Sequence, residues 1–529
     1  MQPEPAPEQP PSGDSVAKAV GVLLIMPAAV LTVLTLVIPT VRTVRSSLYG
    51  GNFLPEGEFE YVGLDNFGAV FDDPRLWPAM GFALSLVVLP LVVAVVVAPL
   101  LAAAFSWAGG WARWTARIVL SLALVVFSPV ALTIAWQRAY RDDPGVLADP
   151  DLVGDTLRLS MAMMTFGVVC AIGVMAFLPA FRADRPGRPQ WPALFTIAGL
   201  ATLGVLATGL QQITIPLVMT AFGPEDKTLT PASLMFVHAF RSLQMGLGAA
   251  FGVVLLVLLA ILGVAAVLLV VLTRLRVSLP PPRPRESTAR NPGAVVLGVL
   301  ALVALVAVAV LTTMPWLDAL GGADPEIPSG AQGRTWLPAI IGAVVSVGVA
   351  YLAALGISGL RPLGRRSEWL LMPFAPWLFV GVAPLSVDFV KSLLEGGALG
   401  AAVQRPILVS IVALLLLSVL CRGQAEQQAA TGGTFVSTVV LPTLPVAGFL
   451  AVVVTFFNAQ DLLWPLLTAP SPEDGTTTLA LFQLNNQASG PDFSVSVATP
   501  LVAVVLGFLA LAVVGVRYLD RMVATTGPE

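Results

Sequence analysis

Residues 274–290 read RLRVSLPPPRPRESTAR, a run rich in arginine and proline between two long apolar tracts. Proline lacks a backbone N–H and ends helices, and clustered arginines are costly to place in hydrocarbon. The run is therefore predicted to be a connector outside a bilayer. On its N-terminal side, apolar tracts lie near 18–41, 79–104, 118–136, 160–181, 192–216 and 244–273. On its C-terminal side they lie near 292–314, 337–359, 369–388, 404–421, 435–457 and 497–516. A crossing needs roughly 20 apolar residues at 1.5 Å rise each, and each tract is read as one crossing. An even number of crossings on each side allows two similar sets to be joined end to end in parallel. The predicted fold class is an all-α polytopic membrane protein with about twelve transmembrane helices. Its divisions are a disordered tail at 1–17, a first six-span half at 18–273, a linker at 274–291 and a second six-span half at 292–529. Such an object usually moves something across a membrane.

Composition agrees. The 529 residues are 57% hydrophobic and 11% charged, with a mean hydropathy of +0.87, whereas a soluble domain carries about 25% charged residues. The apolar surface must therefore be hidden in lipid as well as in a core. A net charge of −3, without a basic stripe bearing interleaved aromatics, gives no sign of nucleic-acid binding. Cys170 and Cys421 fall within or at the end of spans and read as packing residues rather than a disulfide. The polar, proline-rich tail lacks the basic n-region of a cleavable signal, so the first tract is expected to be a retained span. Arg113, Arg117, Arg182, Arg185, Arg188, Arg274, Arg276, Arg365, Arg366 and Arg422 all fall on one face if both termini are cytoplasmic.

The chemistry that is missing narrows the class. Span centres are Val, Leu, Ala, Gly or Ile, and Asp388, Lys391 and Asp461 sit at outer span ends, where they read as solvated or snorkelling charges. No titrating group suggests a proton path. The lysines are Lys18, Lys227 and Lys391, and none follows a glycine-rich phosphate loop. No metal cluster or nucleophile–base pair is visible. His238, at the outer edge of the sixth tract, reads as an interfacial or packing residue. The chain is not expected to be a stand-alone enzyme, and its driving energy is expected from elsewhere.

Ordered motifs sharpen this. After the first tract comes YVGLDNFGAVFDDPRLWPAM at 61–80, where Leu64, Phe67, Val70 and Phe71 recur at helical spacing and Asp65 or Asn66 is placed to cap. An amphipathic helix on the outer surface is predicted there, with an ordinary re-entry loop as the alternative. Gly63-Leu64-Asp65-Asn66-Phe67, then Asp73-Pro74 and Trp77, resembles the segment before the second span in ABC-importer permeases of the maltose and glycerol-phosphate type. Trp136 with Asp143-Pro144-Gly145-Val146-Leu147 resembles that family's next motif, with Ala148 and Asp149 in place of its Asn. Thr220, Gly223, Pro224, Thr228, Leu229, Ala239, Phe240, Gly246, Ala249 and Ala250 match a third. In the second half, Phe435, Val439, Leu441, Pro442, Pro445, Asp461, Pro465 and Leu466 match the partner subunit, with Ala459 and Gln460 replacing a Trp-Asn pair.

The resemblance implies a fused pair of permease subunits in a bacterial cell membrane. It implies alternating access, driven by ATP in separate cytoplasmic ABC ATPase subunits, with no cofactor bound by this chain. An extracytoplasmic solute-binding protein would deliver a sugar or sugar-like solute to the loops 42–78, 137–159 and 458–496. Gln211, Gln212, Asn458 and Gln460, near the outer ends of equivalent fifth spans, are the candidate pathway groups, with helix-to-helix hydrogen bonding as the alternative role. The family's ATPase-coupling loop maps onto Gly423, Gln424, Ala425, Ala429, Ala430, Leu441 and Pro442 in decayed form. In the first half it is essentially lost from FRADRPGRPQ at 181–190, where two prolines and Gly187 disfavour a docking helix. Two other readings stand beside this one. Asp184-Arg185-Pro186-Gly187-Arg188 and Gly364-Arg365-Arg366 imitate turns of major-facilitator secondary transporters, though the first follows the fourth span rather than the second. A degenerate permease with a scaffolding or regulatory role is the other.

Overall fold

The computed structural model describes residues 12–50, 60–141, 143, 145–182, 190–280, 292–393, 407–487 and 492–527. Among these, nine helices are long and apolar enough to cross a bilayer. They are Val16–Ser46, Leu76–Ala108, Val153–Phe181, Trp191–Leu210, Met245–Thr273, Pro292–Ala319, Ala331–Gly359, Val436–Ala459 and Leu501–Arg521. The protein is an all-α, multi-pass membrane protein. The first span begins inside the predicted tail: its helix starts at Ser12.

Three predicted crossings take another form. The tract at 118–136 belongs to a broken pair, Gly110–Val126 and Pro129–Ala139, bent by 83°. Pro129 cannot donate to the previous turn, so the helix restarts at Ser128, whose side chain accepts from the Ala131 N–H as a cap. The tract at 369–388 is not one helix. A 3₁₀ helix over Gly364–Trp377, carrying Pro373 and Pro376, is followed by Ala383–Leu385 and then Ser386–Ser392. Proline removes the i→i−4 bonds that would join these pieces. The tract at 404–421 is represented by the helix Ile411–Thr431, apolar up to Cys421 and polar beyond it; positions 404–406 lie outside the described residues. Counting the bent pair as one span gives up to ten candidate crossings among the described residues, fewer than the twelve predicted.

The elements recur in the same order on both sides of the connector. A broken third crossing, at Gly110–Ala139 and again at Gly364–Ser392, precedes long helices. Trp191–Leu210 and Leu441–Ala459 are each followed by a short helix, Thr214–Thr220 and Leu463–Thr468. The next helices, Pro231–Phe236 and Thr477–Asn485, are capped alike by Thr230 and Thr476. Each series ends in a strand, and these pair antiparallel as Arg276↔Thr525, Val277↔Ala524 and Ser278↔Val523. The predicted linker is thus ordered through its first residues, while 281–291 lie outside the described residues.

Each part lends its first span to the other. Val16–Ser46 packs along Ala331–Gly359, where a Cβ on Gly356 would come within 2.5 Å of the Gly21 carbonyl. Pro292–Ala319 packs on Ala98–Ala108, where a Cβ on Gly298 would meet that of Ala108 at 2.2 Å. Lipid gives apolar helices no hydrophobic reason to associate, so close contact through small residues supplies the attraction. Between the two exchanged spans much of the interior is filled by one large cluster rich in Ala, Leu, Val and Phe, with two smaller clusters beside it.

Candidate functional site: a polar cavity at the helix breaks

Gln211 and Gln460 each terminate a helix, and their backbones are nearly superimposable in conformation. Gln211 has φ −98° and ψ 4° after Trp191–Leu210; Gln460 has φ −96° and ψ 8° after Leu441–Ala459. Each side chain reaches across to the other part of the chain. Gln211 Nε2 donates to the Phe379 carbonyl at 2.8 Å, and its Oε1 accepts from the Gly381 N–H at 2.8 Å. Gln460 Oε1 accepts from the Ser128 hydroxyl at 2.5 Å, while its Nε2 donates to Ala498 O at 3.1 Å and Thr499 Oγ1 at 3.2 Å. Ser128 is the bend of one broken crossing, and residues 379–381 are the break in the other. Two glutamines therefore clasp the opposite part's helix break, crosswise. Backbone freed by a break inside a membrane must be satisfied within the protein, and these amides help to do so.

Between the clasps lies a cavity of about 500 Å³. Gln211, Gln212, Asn458 and Gln460 all line it, joined by Thr208, Thr214, Ser346, Ser410 and Asp461. Trp377 and Phe457 supply aromatic faces; Trp377 Nε1 is held by Thr40 Oγ1 at 3.0 Å. Asp461 is the sole ionisable side chain in the lining among the described residues, and its Oδ1 accepts from the Leu463 N–H at 3.1 Å. The four predicted polar residues divide by occupation. Gln211 and Gln460 are engaged by the protein, Asn458 Nδ2 reaches the Ala339 carbonyl at 3.5 Å, and the Gln212 amide has no partner among the described residues. Amides, hydroxyls and two aromatic faces in such a volume suit a neutral, hydroxyl-rich molecule.

The predicted coupling residues do not share one surface. Gly423 is buried where a Cβ would stand 2.1 Å from the Val277 carbonyl. Gln424 is also buried, its amide accepting from Leu279 N and donating to the Thr438 carbonyl at 2.9 Å. These two positions pack on the strand; they do not project. Ala425 is half-buried, Ala429 and Ala430 are exposed at the end of Ile411–Thr431, and Leu441 is exposed beside half-buried Pro442. No separate docking helix forms: the long helix runs on to Thr431 and is closed by Gly432. The first-half counterpart at 183–189 lies outside the described residues, as does most of the facilitator-like turn.

Several charges placed at or just beyond span ends are buried. Arg117, fully buried, pairs with Asp520 at 2.6 Å, which also takes Arg113 at 3.0 Å and Arg182 at 3.5 Å. Arg422, nearly buried, pairs with Glu368 at 2.6 Å and Glu426 at 3.2 Å. Asp388 is buried as well. The membrane region is thus less electrically silent than the sequence implies, and the tertiary partners of these charges, hundreds of residues apart, left no local signal. At the opposite side, Asn66 does not cap its helix; its Nδ2 donates to the Ser47 and Tyr49 carbonyls, and Leu64 is the cap without a side-chain bond. His238 is no bystander either: Nε2 lies 3.0 Å from Asp73 Oδ2, which Arg75 also grips at 2.9 Å. Burial would push the Asp73 carboxyl up, but bonds from Arg75 and His238 outweigh it and hold it down to about 2.

Over 271 residues the chain is 25% identical to the sulfoquinovosyl glycerol transport system permease protein SmoG of Agrobacterium fabrum (strain C58), a match taking in 46% of this chain and 87% of that protein. The chain is permease-like. No family model matches it. The resemblance to carbohydrate-uptake permeases, first read from short motifs, therefore returns as a likeness over a long alignment. This permease-like, multi-pass chain is a transport component rather than an enzyme. Its relative matches under half of it.

Proposed function

We propose that this chain is the membrane-spanning permease of an ATP-driven ABC importer for a sugar or sugar-like solute, with both permease halves fused. The cavity between the crosswise glutamine clasps carries the proposal: it is lined by amides and hydroxyls from both parts and borders the break at residues 378–382, while Gln460 in its wall holds Ser128 of the other broken crossing. Gln212 and Asn458 would bind solute hydroxyls, Trp377 and Phe457 would face the sugar ring, and the clasps would hold the breaks in one state of an alternating-access cycle. ATP would be bound by separate cytoplasmic ATPase subunits, and an extracytoplasmic binding protein would load the cavity. Both termini and the strand pair would then face the cytoplasm. The exposed Ala429, Ala430 and Leu441 form the surface left for coupling.

The test is reconstitution. The chain is co-expressed with ATPase and receptor genes from its own locus, and uptake is measured in proteoliposomes. Uptake that requires ATP and the receptor supports the proposal. Flux by the chain alone under a proton gradient would replace it with a secondary transporter. Burial of Gly423 and Gln424, where a coupling loop needs access, favours one further reading, a degenerate permease that scaffolds other subunits. Stable complexes without ATP-dependent uptake would select it.

A further inference from the structure

Beside the strand pair, a second recess of about 240 Å³ opens between the end of Met245–Thr273, the 3₁₀ helix Gly364–Trp377 and Ile411–Thr431. Arg274, Arg365 and Arg422 line it, with Glu368 as the acid. Among the described residues, basic groups outnumber acidic ones around it. Glu426 is shared by Arg276 at 2.7 Å, Arg361 at 3.2 Å and Arg422 at 3.2 Å, and Glu368 is taken by Arg422 at 2.6 Å. Among the described residues, five arginines (Arg274, Arg276, Arg361, Arg365 and Arg422) thus stand around two carboxylates, each already held by arginine. Arg274 is exposed, and its guanidinium makes no hydrogen bond or ion pair among the described residues. The lip of the recess is apolar: Leu272 is 68% exposed and Trp369 48% exposed. Leu272 belongs to the last turn of a membrane span, so the recess lies where that span leaves the hydrocarbon.

We propose that this recess binds the phosphate-bearing headgroup of an anionic membrane phospholipid. Guanidinium forks match phosphate oxygens in pairs, and recesses of this kind between span ends take anionic lipid heads. A tryptophan at the lip suits the boundary between headgroup and acyl chain. Leu272 and Trp369 favour a lipid over a soluble phosphate, because acyl chains would cover them. The three lining elements come from both sides of the connector, so an occupied recess ties those parts together.

The full chain, purified in detergent, is titrated with dioleoylphosphatidylglycerol, dioleoylphosphatidylcholine or inorganic phosphate, and its thermal unfolding is followed by intrinsic fluorescence. Native mass spectrometry counts retained lipids. Phosphatidylglycerol is expected to raise the unfolding temperature and remain bound, with the other two far weaker. The double variant Arg274→Gln, Arg365→Gln is expected to weaken phosphatidylglycerol at least tenfold, while Arg517→Gln, at the exposed end of the final span, leaves it unchanged. Equal shifts from phosphatidylcholine, or unchanged affinity in the double variant, overturn the proposal. An equal shift from inorganic phosphate overturns it too, by assigning the recess to a soluble phosphate compound. If the double variant fails to fold, the single Arg274→Gln, which breaks no bond among the described residues, decides.

Discussion

The broken crossings at 110–139 and 364–392 solve one problem with different materials. In the first, an α-helix stops at Phe127, Ser128 caps the next helix, and the chain turns by 83°. In the second, two prolines hold a 3₁₀ helix, and the break is spread over residues 378–382. The clasps differ accordingly. Gln460 is 4% exposed and grips a side-chain hydroxyl, whereas Gln211 is half-buried and grips backbone. A sharp bend presents one hydroxyl to hold; a spread break presents an N–H and a carbonyl. The lesson is that equivalent positions in a repeated architecture can keep a role while exchanging its chemistry.

Substitutions can break this comparison. Gln460→Ala removes the acceptor of the buried Ser128 hydroxyl and should have the largest effect, about 1–3 kcal/mol of stability, read as reduced thermal stability in detergent together with loss of any uptake. Pairing it with Ser128→Ala sharpens the point. A double-mutant cycle should show coupling of about 1 kcal/mol, and strict additivity would dissolve the clasp. Gln211→Ala should cost less, about 1 kcal/mol, because Gln211 and its partner Gly381 border the cavity and water can replace the amide. If Gln211→Ala proves the more damaging, the ranking by burial is wrong. Gln212→Ala breaks no bond among the described residues and should shift stability by no more than about 0.5 kcal/mol, yet weaken solute binding measured by calorimetry.

The smallest effect lies outside the cavity, where the N-terminal part has an ion cluster of Asp73, Arg75 and His238, with Asp226 at 3.4 Å from Arg75. The folded Asp73 carboxyl sits at about 2, below its ordinary 3.8. Its contribution is therefore fully present above about pH 4 and fades as pH falls toward 2. Asp73→Asn should flatten that part of the acid unfolding profile; an unchanged profile would remove Asp73 as its source.

Much of this was legible before any fold was known. Span positions follow from length and apolarity alone, since hydrocarbon accepts only backbone that bonds to itself. Gln211, Gln212, Asn458 and Gln460 stood out as amides at the ends of corresponding helices, and all of them border one cavity. The same reasoning failed at 369–388, where apolarity suggested a span and three prolines forbade a continuous helix. It failed again at Gly423 and Gln424, because a motif's spacing carries no record of a strand folding back onto it. Arg117 read as a surface cation for a similar reason: its partner Asp520 is 403 positions away.

By itself, then, the chain's chemistry determined residence in a bilayer, helical secondary structure and a repeated order of elements, because each depends on local composition and on periodicity. Only the tertiary structure decided which amides grip protein and which face open space, which charges are buried, and how the two first spans are exchanged. Those outcomes depend on contacts between residues hundreds of positions apart, and no window of sequence contains both partners.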